Sequence, residues 1–319
     1  MASMLAESVV SRAEYECPVA TPYRLDLTVS ALRRLSSNLV DVLTPQGAYI
    51  RALGELRTVV VARVTQPLPD TLTISLGGDK REHPRALAIV RRVLGVEQSL
   101  AHFDRAAAHI PWLKSLAKRM RGVKPPRYPT LWEACVNAVV FQQISLVAAS
   151  AIMHRLIVAL GRPLLSGAFQ HYAFPTITTF RDAQDDLLRA AGLSAGKLMT
   201  LRRVCEALAA GTLDEEMLQQ QPSADAAATL RRIKGIGPWT AALILLRGLG
   251  RLDVFPMNDT SVTRNLALVS GSAAVDVEGA LRALRPQQGM LYYHLLLARL
   301  EAQRDLGRPS APAWLKVIP

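Results

Sequence analysis

Asp259 is a lone carboxylate at the end of an unusual run. The stretch LRRIKGIGPWTAALILLRGLGRLDVFPMND (Leu230–Asp259) begins as a basic amphipathic helix, breaks at Gly235-Ile236-Gly237, resumes as an apolar helix and stops at Pro256 and Asp259. A fixed carboxylate in a dry cleft can stabilise positive charge developing on a reacting carbon, and can position or deprotonate an attacking water. The residues after it, TSVTRNLAL, have helical spacing. That places Asp259 at a helix N-cap, where the positive helix end favours the ionised form. Capping alone is the other reading of an aspartate in this position. Asp253, ahead of the loop, reads as structural.

The glycines suggest what such a carboxylate would act on. Ser223 can cap the first helix, Gly235 can take the left-handed conformation that ends it, and Pro238 suits the first turn of the second helix, where its missing N–H would be unpaired anyway. Gly237 leaves the turn without a Cβ. The expected result is two helices joined by a tight turn whose backbone N–H groups face outward at a positive helix end, open to close approach by a phosphate. Lys234, Arg231 and Arg232 add charge beside it. GIG alone also fits an ordinary helical hairpin with a glycine cap, and the PWTA behind it favours the phosphate reading.

Composition points the same way. The chain has 319 residues, half of them hydrophobic, and a formal charge of +12. That length supports two or three domains, and that charge calls for a polyanionic partner, with nucleic acid the leading candidate. Cys17, Cys135 and Cys205 are too far apart for a disulfide framework or a CxxC metal motif, and fit a reducing cytoplasm. No run of about twenty apolar residues and no leader pattern is found, so the expectation is a soluble intracellular protein. His83, His154 and His294 are isolated, with no second ligand at metal spacing.

The elements that must position these residues follow from periodicity. Residues 1–20 are assigned no structure. YRLDLTV alternates and reads as a strand, as do two runs around Gly54 in YIRALGELRTVVVARVTQ and the run TLTISLGG, while LRRLSSNLVDVL and PRALAIVRRVLGV read as helices. This α+β unit spans 21–96. Helical spacing then covers 98–109, 112–121, 130–160, 182–191, 195–210, 224–234, 238–249, 260–268, 276–284 and 288–305. RGVKPPRYP reads as a basic, proline-rich connector at a domain boundary, and SAPAWLKVIP as a tail. The helical part divides into one domain from 97–126 with 252–319 and a second, 127–251, that carries the hairpin.

The Leu230–Asp259 run resembles the helix-hairpin-helix, Gly/Pro-rich loop and aspartate of the DNA glycosylase superfamily, and within it the 3-methyladenine DNA glycosylase II family. LWEACVNAVVFQQISLVAA resembles that family's lesion-entering helix, and AGLSAGKLMTLRRVCEAL the segment before the hairpin, so the similarity spans about Tyr23 to Arg304. The resemblance implies an α+β, mostly helical fold: a small antiparallel-sheet N-terminal domain plus two helical domains with the active site between them. It implies that Asp259 is catalytic, stabilising an oxocarbenium-like sugar during cleavage of the N-glycosidic bond.

Further roles come with the resemblance. Bifunctional hairpin glycosylases place a lysine two residues after the second glycine; here Trp239 stands there, as in the monofunctional branch, and its indole face suits a positively charged alkylated base. Core packing is its other reading. Gln142, Gln143 and Ile144 fall where the family fills the gap left by a flipped base, with Gln143 at the position of a known member's apolar wedge. Buried helix-capping amides are the alternative there. Positions of further pocket aromatics read as Leu243 and Leu296, leaving Tyr292 and Tyr293 as nearby candidates. Gly235, Ile236, Gly237, Lys234 and Thr240 join the loop residues as expected DNA contacts.

The expected function is a monofunctional glycosylase of base excision repair that flips out alkylated bases and leaves an abasic site. The alternatives are a glycosylase for deaminated or oxidised bases, and a non-catalytic, damage-specific DNA-binding protein. No metal site, iron–sulfur cluster or cofactor is expected, apart from a monovalent cation of the kind hairpin carbonyls commonly hold. The expected partner is damaged double-stranded DNA, with no membrane contact, for a monomer in the cytoplasm, nucleoid-associated in a bacterium.

Overall fold

A computed structural model describes residues 12–54, 57–166, 169–257, 260–271 and 275–307. Five strands, β1 (Arg12–Pro18), β2 (Val42–Leu43), β3 (Tyr49–Leu53), β4 (Val60–Leu68) and β5 (Thr71–Gly77), form an antiparallel sheet in the order β1-β5-β4-β3-β2. Strict alternation puts Val60, Ala62 and Val64 of β4 and Leu72, Ile74 and Leu76 of β5 on one buried face. Helices α1 (Leu25–Arg33) and α2 (His83–Leu94) pack with this sheet, and Gly95, in the left-handed conformation, ends α2.

The remaining chain is mostly helical: α3 (Ala101–Ala108), α4 (Pro111–Arg119), α5 (Leu131–Val140), α6 (Leu146–Leu160), α7 (Ile177–Asp182), α8 (Asp185–Ala190), α9 (Ala195–Ala209), α10 (Glu215–Gln220), α11 (Ser223–Arg231), α12 (Pro238–Ile244), α13 (Thr260–Ser270), α14 (Val277–Ala283) and α15 (Met290–Ala302). A hairpin, β6 (Arg162–Ser166) with β7 (Phe169–Ala173), interrupts the helices. One continuous apolar core runs from the sheet into the helices.

Several expectations need correcting. Arg12–Pro18, within the part assigned no structure, is strand β1: Ala13, Tyr15 and Cys17 turn inward between outward Arg12, Glu14 and Glu16, a short alternation with charges on the open face. The YRLDLTV segment enters a helix, not a strand. All nine residues of α1 are buried, Asp26, Thr28, Ser30 and Arg33 included, so the alternation of polar and apolar residues does not mark an exposed strand face. LRRLSSNLVDVL is not helical beyond Arg33, because the chain reverses there and Asn38 Oδ1 accepts the N–H groups of Val40 and Asp41. The expected helix at 130–160 is two, parted at Phe141–Ser145, where Ser145 caps α6 through the N–H of Ala148. The β6/β7 hairpin and α10 had not been expected.

The proline-rich connector is largely buried. Its Lys124 N–H donates to Thr28 Oγ1 of α1, and the ammonium donates to Gln98 O at 2.8 Å. Burial pulls that amine down to about 8. Arg127 N–H bonds Val93 O, and Tyr128 N–H bonds Arg247 O. The connector therefore stitches α2 to the residues that follow α12. A second buried tie crosses from sheet to helix: Arg51 of β3 meets Asp41 at 2.6 Å and Glu133 of α5 at 2.5 Å, with Tyr49 also donating to Asp41.

Two of the three isolated histidines belong to the framework. His83 pairs with Tyr15, and His154 is exposed. His294 is fully inside, its Nδ1 donating to Met290 O at 2.9 Å and its ring 4.5 Å from that of Phe103. Burial lowers it to about 4. The unfolded chain binds that proton near 6.5. The stability given by the neutral ring is therefore complete above about pH 6.5 and is lost as pH falls towards 4, by up to about 3 kcal/mol. Urea midpoints followed across this window should fall further for the wild type than for His294→Gln; parallel curves would show that the ring is not held neutral.

Candidate functional site

The two glycines of the hairpin do different jobs. Gly235 has φ +104, and a Cβ there would overlap the Thr200 side chain of α9, so the turn can pass only as glycine. Ile236, 4% exposed, pins the turn into the core. Gly237 has φ −87 and ψ 179, which any residue can adopt, and a Cβ on it would meet nothing within 4 Å. Nothing among the described residues requires that glycine, and its open side faces outward, where a ligand can approach. Pro238 opens α12, whose first internal bond runs from Ala241 N–H to Gly237 O. Ser223 is not the cap expected of it: α11 begins on Ser223 with Pro222 in the cap position, and the hydroxyl is buried without a partner among the described residues.

Lys234, Arg231 and Arg232 stand exposed around the turn. The loop between α5 and α6 lies against it. Gln142 Nε2 donates to Gly235 O at 3.0 Å and to Thr240 Oγ1 at 2.7 Å, latching loop and hairpin together. Both side chains are spent on that latch, and Thr240 is buried. Gln143, next in line, has φ +54, one of three non-glycine residues with positive φ among the described residues. It sits exposed at the loop apex beside Ile144, which is 38% exposed.

Between loop and hairpin opens a cleft of about 680 Å³, within the range typical of ligand sites. Trp239 and Leu243 of α12, Tyr292 and Leu296 of α15, and Gln142, Gln143 and Ile144 of the loop all line it. The structure separates the two tyrosine candidates. Tyr292 faces the cleft, whereas Tyr293 is wholly buried, donating to Pro126 O at 3.0 Å with its ring edge-on to Tyr292. Asp259 lies outside the described residues. Helix α13 begins at the next residue, Thr260, and its Val262 and Asn265 line the cleft.

Sequence reasoning missed several lining residues, among them Arg34, Phe141 and Arg299. The first comes from the end of α1, far from the hairpin in sequence, and no local pattern marks it. No lysine lines the cleft among the described residues. Nor do three His, Cys, Asp or Glu side chains gather anywhere in metal-binding geometry among them. No helix there is long and apolar enough to cross a membrane.

Residues 136–285 match the family described as HhH-GPD superfamily base excision DNA repair protein. A DNA-3-methyladenine glycosylase of Bacillus subtilis is 25% identical over 221 residues, covering 68% of this chain and 73% of the relative. A probable bifunctional transcriptional activator/DNA repair enzyme AlkA of Mycobacterium tuberculosis is 30% identical over 257 residues, covering 78% of this chain; the chain spans 50% of that relative's length. The fold is similar to that of a 3-methyladenine DNA-glycosylase from Archaeoglobus fulgidus, with a TM-score of 0.74, 22% identity, and coverage of 90% of this chain and 99% of that one.

The unequal glycines give a paired test. Gly235→Ala should cost about 2 kcal/mol or more, because a Cβ is strained at that φ and overlaps Thr200. Gly237→Ala should leave the melting temperature level or slightly raised, yet weaken binding to duplex DNA about tenfold or more. Equal stability losses for the two variants would refute the division of roles.

Proposed function

We propose a reaction for this chain, which carries a domain of the HhH-GPD superfamily of base excision DNA repair proteins: it is a DNA glycosylase that flips an alkylated base of the 3-methyladenine type out of damaged duplex DNA, hydrolyses the N-glycosidic bond and leaves the strand uncut. The observation that carries this reading is the cleft itself. It adjoins the hairpin turn, is walled by an indole and a phenol ring, and has no lysine in its lining among the described residues.

The chain's own groups divide the work. The open side of Gly237 and the first turn of α12 meet a phosphate, with Lys234, Arg231 and Arg232 adding long-range attraction. Unstacking the target nucleotide costs a few kcal/mol, and the exposed apex, Gln143 with Ile144, offsets part of it by entering the gap. The Gln142 latch holds that apex at a fixed distance from the phosphate site. The base then lies in the cleft, where Trp239 offers an electron-rich face to a cationic ring. As the C1′–N bond breaks, its electron pair leaves with the base. The carboxylate of Asp259 stabilises the positive sugar and takes up a proton from the water that attacks C1′.

The monofunctional outcome follows from what stands at position 239. Strand cleavage by β-elimination needs an imine between a primary amine and the sugar, and an indole cannot form one. Lys197, on α9, is committed elsewhere: its ammonium donates to Val140 O at 2.8 Å. Lys234 is exposed on the hairpin turn, outside the cleft lining.

Asp259→Asn should reduce base release by about a thousandfold or more while duplex binding stays level or tightens, because an anion near the phosphates is removed. Turnover near the wild-type rate would defeat the catalytic role. Borohydride added during turnover should trap no protein–DNA adduct, and the product should be an abasic site in an intact strand. An adduct lost on mutating one lysine would instead establish a lyase. Binding should also weaken steeply between low and moderate salt; a flat salt dependence would contradict phosphate-led recognition.

A further inference from the structure

Helix α1 ends at Arg33, and the next residue, Arg34, has φ 65 and ψ −64. A three-residue turn closes across it, from Leu35 N–H to Arg33 O at 2.8 Å, the rare positive-φ form of the γ-turn. A side-chain-bearing residue in this conformation is strained, and such strain persists only where the surroundings fix it. They do so here: α1 is buried on every side, Arg34 N–H still bonds Ser30 O, and the Asn38 turn holds the chain beyond. The consequence is that the Arg34 side chain becomes part of the cleft wall.

Arg34 is 3% exposed, and its guanidinium carbon lies 3.8 Å from the centre of the Phe141 ring. Its Nε and Nη1 are buried and have no hydrogen-bond partner among the described residues. The neighbouring buried guanidiniums of Arg33, Arg51 and Arg247 also keep a buried Nε without a partner among the described residues, as does Nη1 of Arg247, but each donates to at least one protein oxygen, which the Arg34 guanidinium does not do among those residues. Unpaired donors on a buried cation are costly, and they suit a ligand that brings acceptors. Besides the cleft, Arg34 borders a second cavity of about 30 Å³, which has room for a water and not for a base. Its depth argues against a phosphodiester, which stays at the cleft mouth with the strand. The extruded base is the part of the nucleotide that enters.

Building on the glycosylase reading, we propose that Arg34 is a specificity-determining residue that donates to acceptor atoms on the flipped base and so extends the cleft's range from cationic alkylated bases to neutral lesions. The reason is the charge of the leaving group. When the C1′–N bond breaks, the electron pair goes to the base and the water oxygen forms the new bond to C1′. In a cationic alkylated purine that pair neutralises a charge already present. In a neutral purine it creates an anion, which a nearby guanidinium stabilises until a proton arrives. The same cation repels a base that is positive before the bond breaks. One side chain therefore speeds one substrate class and slows the other.

The test is single-turnover base release from two duplexes identical except for the lesion, hypoxanthine as the neutral base and 7-methylguanine as the cationic one. Arg34→Met keeps an alkyl stem over Phe141 and removes the donors. It should slow hypoxanthine release about tenfold or more and speed 7-methylguanine release. Arg34→Gln, with donors and no charge, should recover part of the hypoxanthine rate. If the methionine variant misfolds, Arg34→Gly tolerates the positive φ and carries the same comparison. A parallel loss on both duplexes would assign Arg34 to backbone contact or scaffolding and overturn the proposal. Wild-type protein releasing 7-methylguanine and no hypoxanthine would overturn it too while sparing the glycosylase reading; release of neither would overturn both.

Discussion

The architecture depends on one buried cation. Arg247 lies in the wide helical turn Leu245–Leu249 that continues α12, is 1% exposed, and donates through Nη2 to Ala31 O and Leu32 O, both at 2.9 Å. Those carbonyls belong to the last turn of α1, where intrahelical partners run out and a positive charge is favourable. The guanidinium also lies 5.0 Å from the Tyr128 ring centre and 5.8 Å from that of Tyr293, between the connector and α15. A lone buried charge is expensive unless its surroundings answer it. Here the answering groups come from three separate parts of the chain, so N-terminal helix, hairpin and C-terminal helix are fixed by a single requirement.

Fixing α1 against the continuation of α12 decides where the chain goes next. Arg33 is the last helical residue and Arg34 turns back through its strained γ-turn, so the same restraint that satisfies the helix end places a second guanidinium in the cleft. On the opposite wall the Gln142 latch ties the α5–α6 loop to the hairpin. The Arg51 ion pairs with Asp41 and Glu133 anchor the start of α5 to the sheet. Gly248 completes the frame: a Cβ there would come within 2.7 Å of the Ala134 side chain, so α5 and the end of the hairpin helix pack at glycine distance. The cleft is the space these restraints leave open.

Legibility differed between element types for physical reasons. Half-buried strands such as β4 and β5 and helices with one wet face, such as α2 and α9, display a period because burial alternates along them. Helix α1 is buried all round, so no wet face marks its polar residues, and their alternation in YRLDLTV fits a strand equally well. The break between α5 and α6 was hidden for a related reason: apolar residues continue through it, and the reversal depends on Gln143 adopting a left-handed backbone.

The sequence by itself determined the hairpin, because its glycines, proline and cations are neighbours along the chain and local backbone chemistry dictates their arrangement, while Asp259 and the tryptophan at position 239 stand out only through the family resemblance. It also determined the excess of positive charge, which is a sum and needs no fold. Only the tertiary structure decided which of two adjacent tyrosines faces the cleft, since one turn of α15 presents Tyr292 and Tyr293 in different directions and packing alone selects between them. Only it separated Gln142, consumed in a latch, from Gln143 at the apex. Arg34 shows the limit most plainly. Its role depends on a strained turn, an aromatic ring about a hundred residues away and the lack, among the described residues, of a partner for its Nε and Nη1, and none of these is a property of the residues beside it.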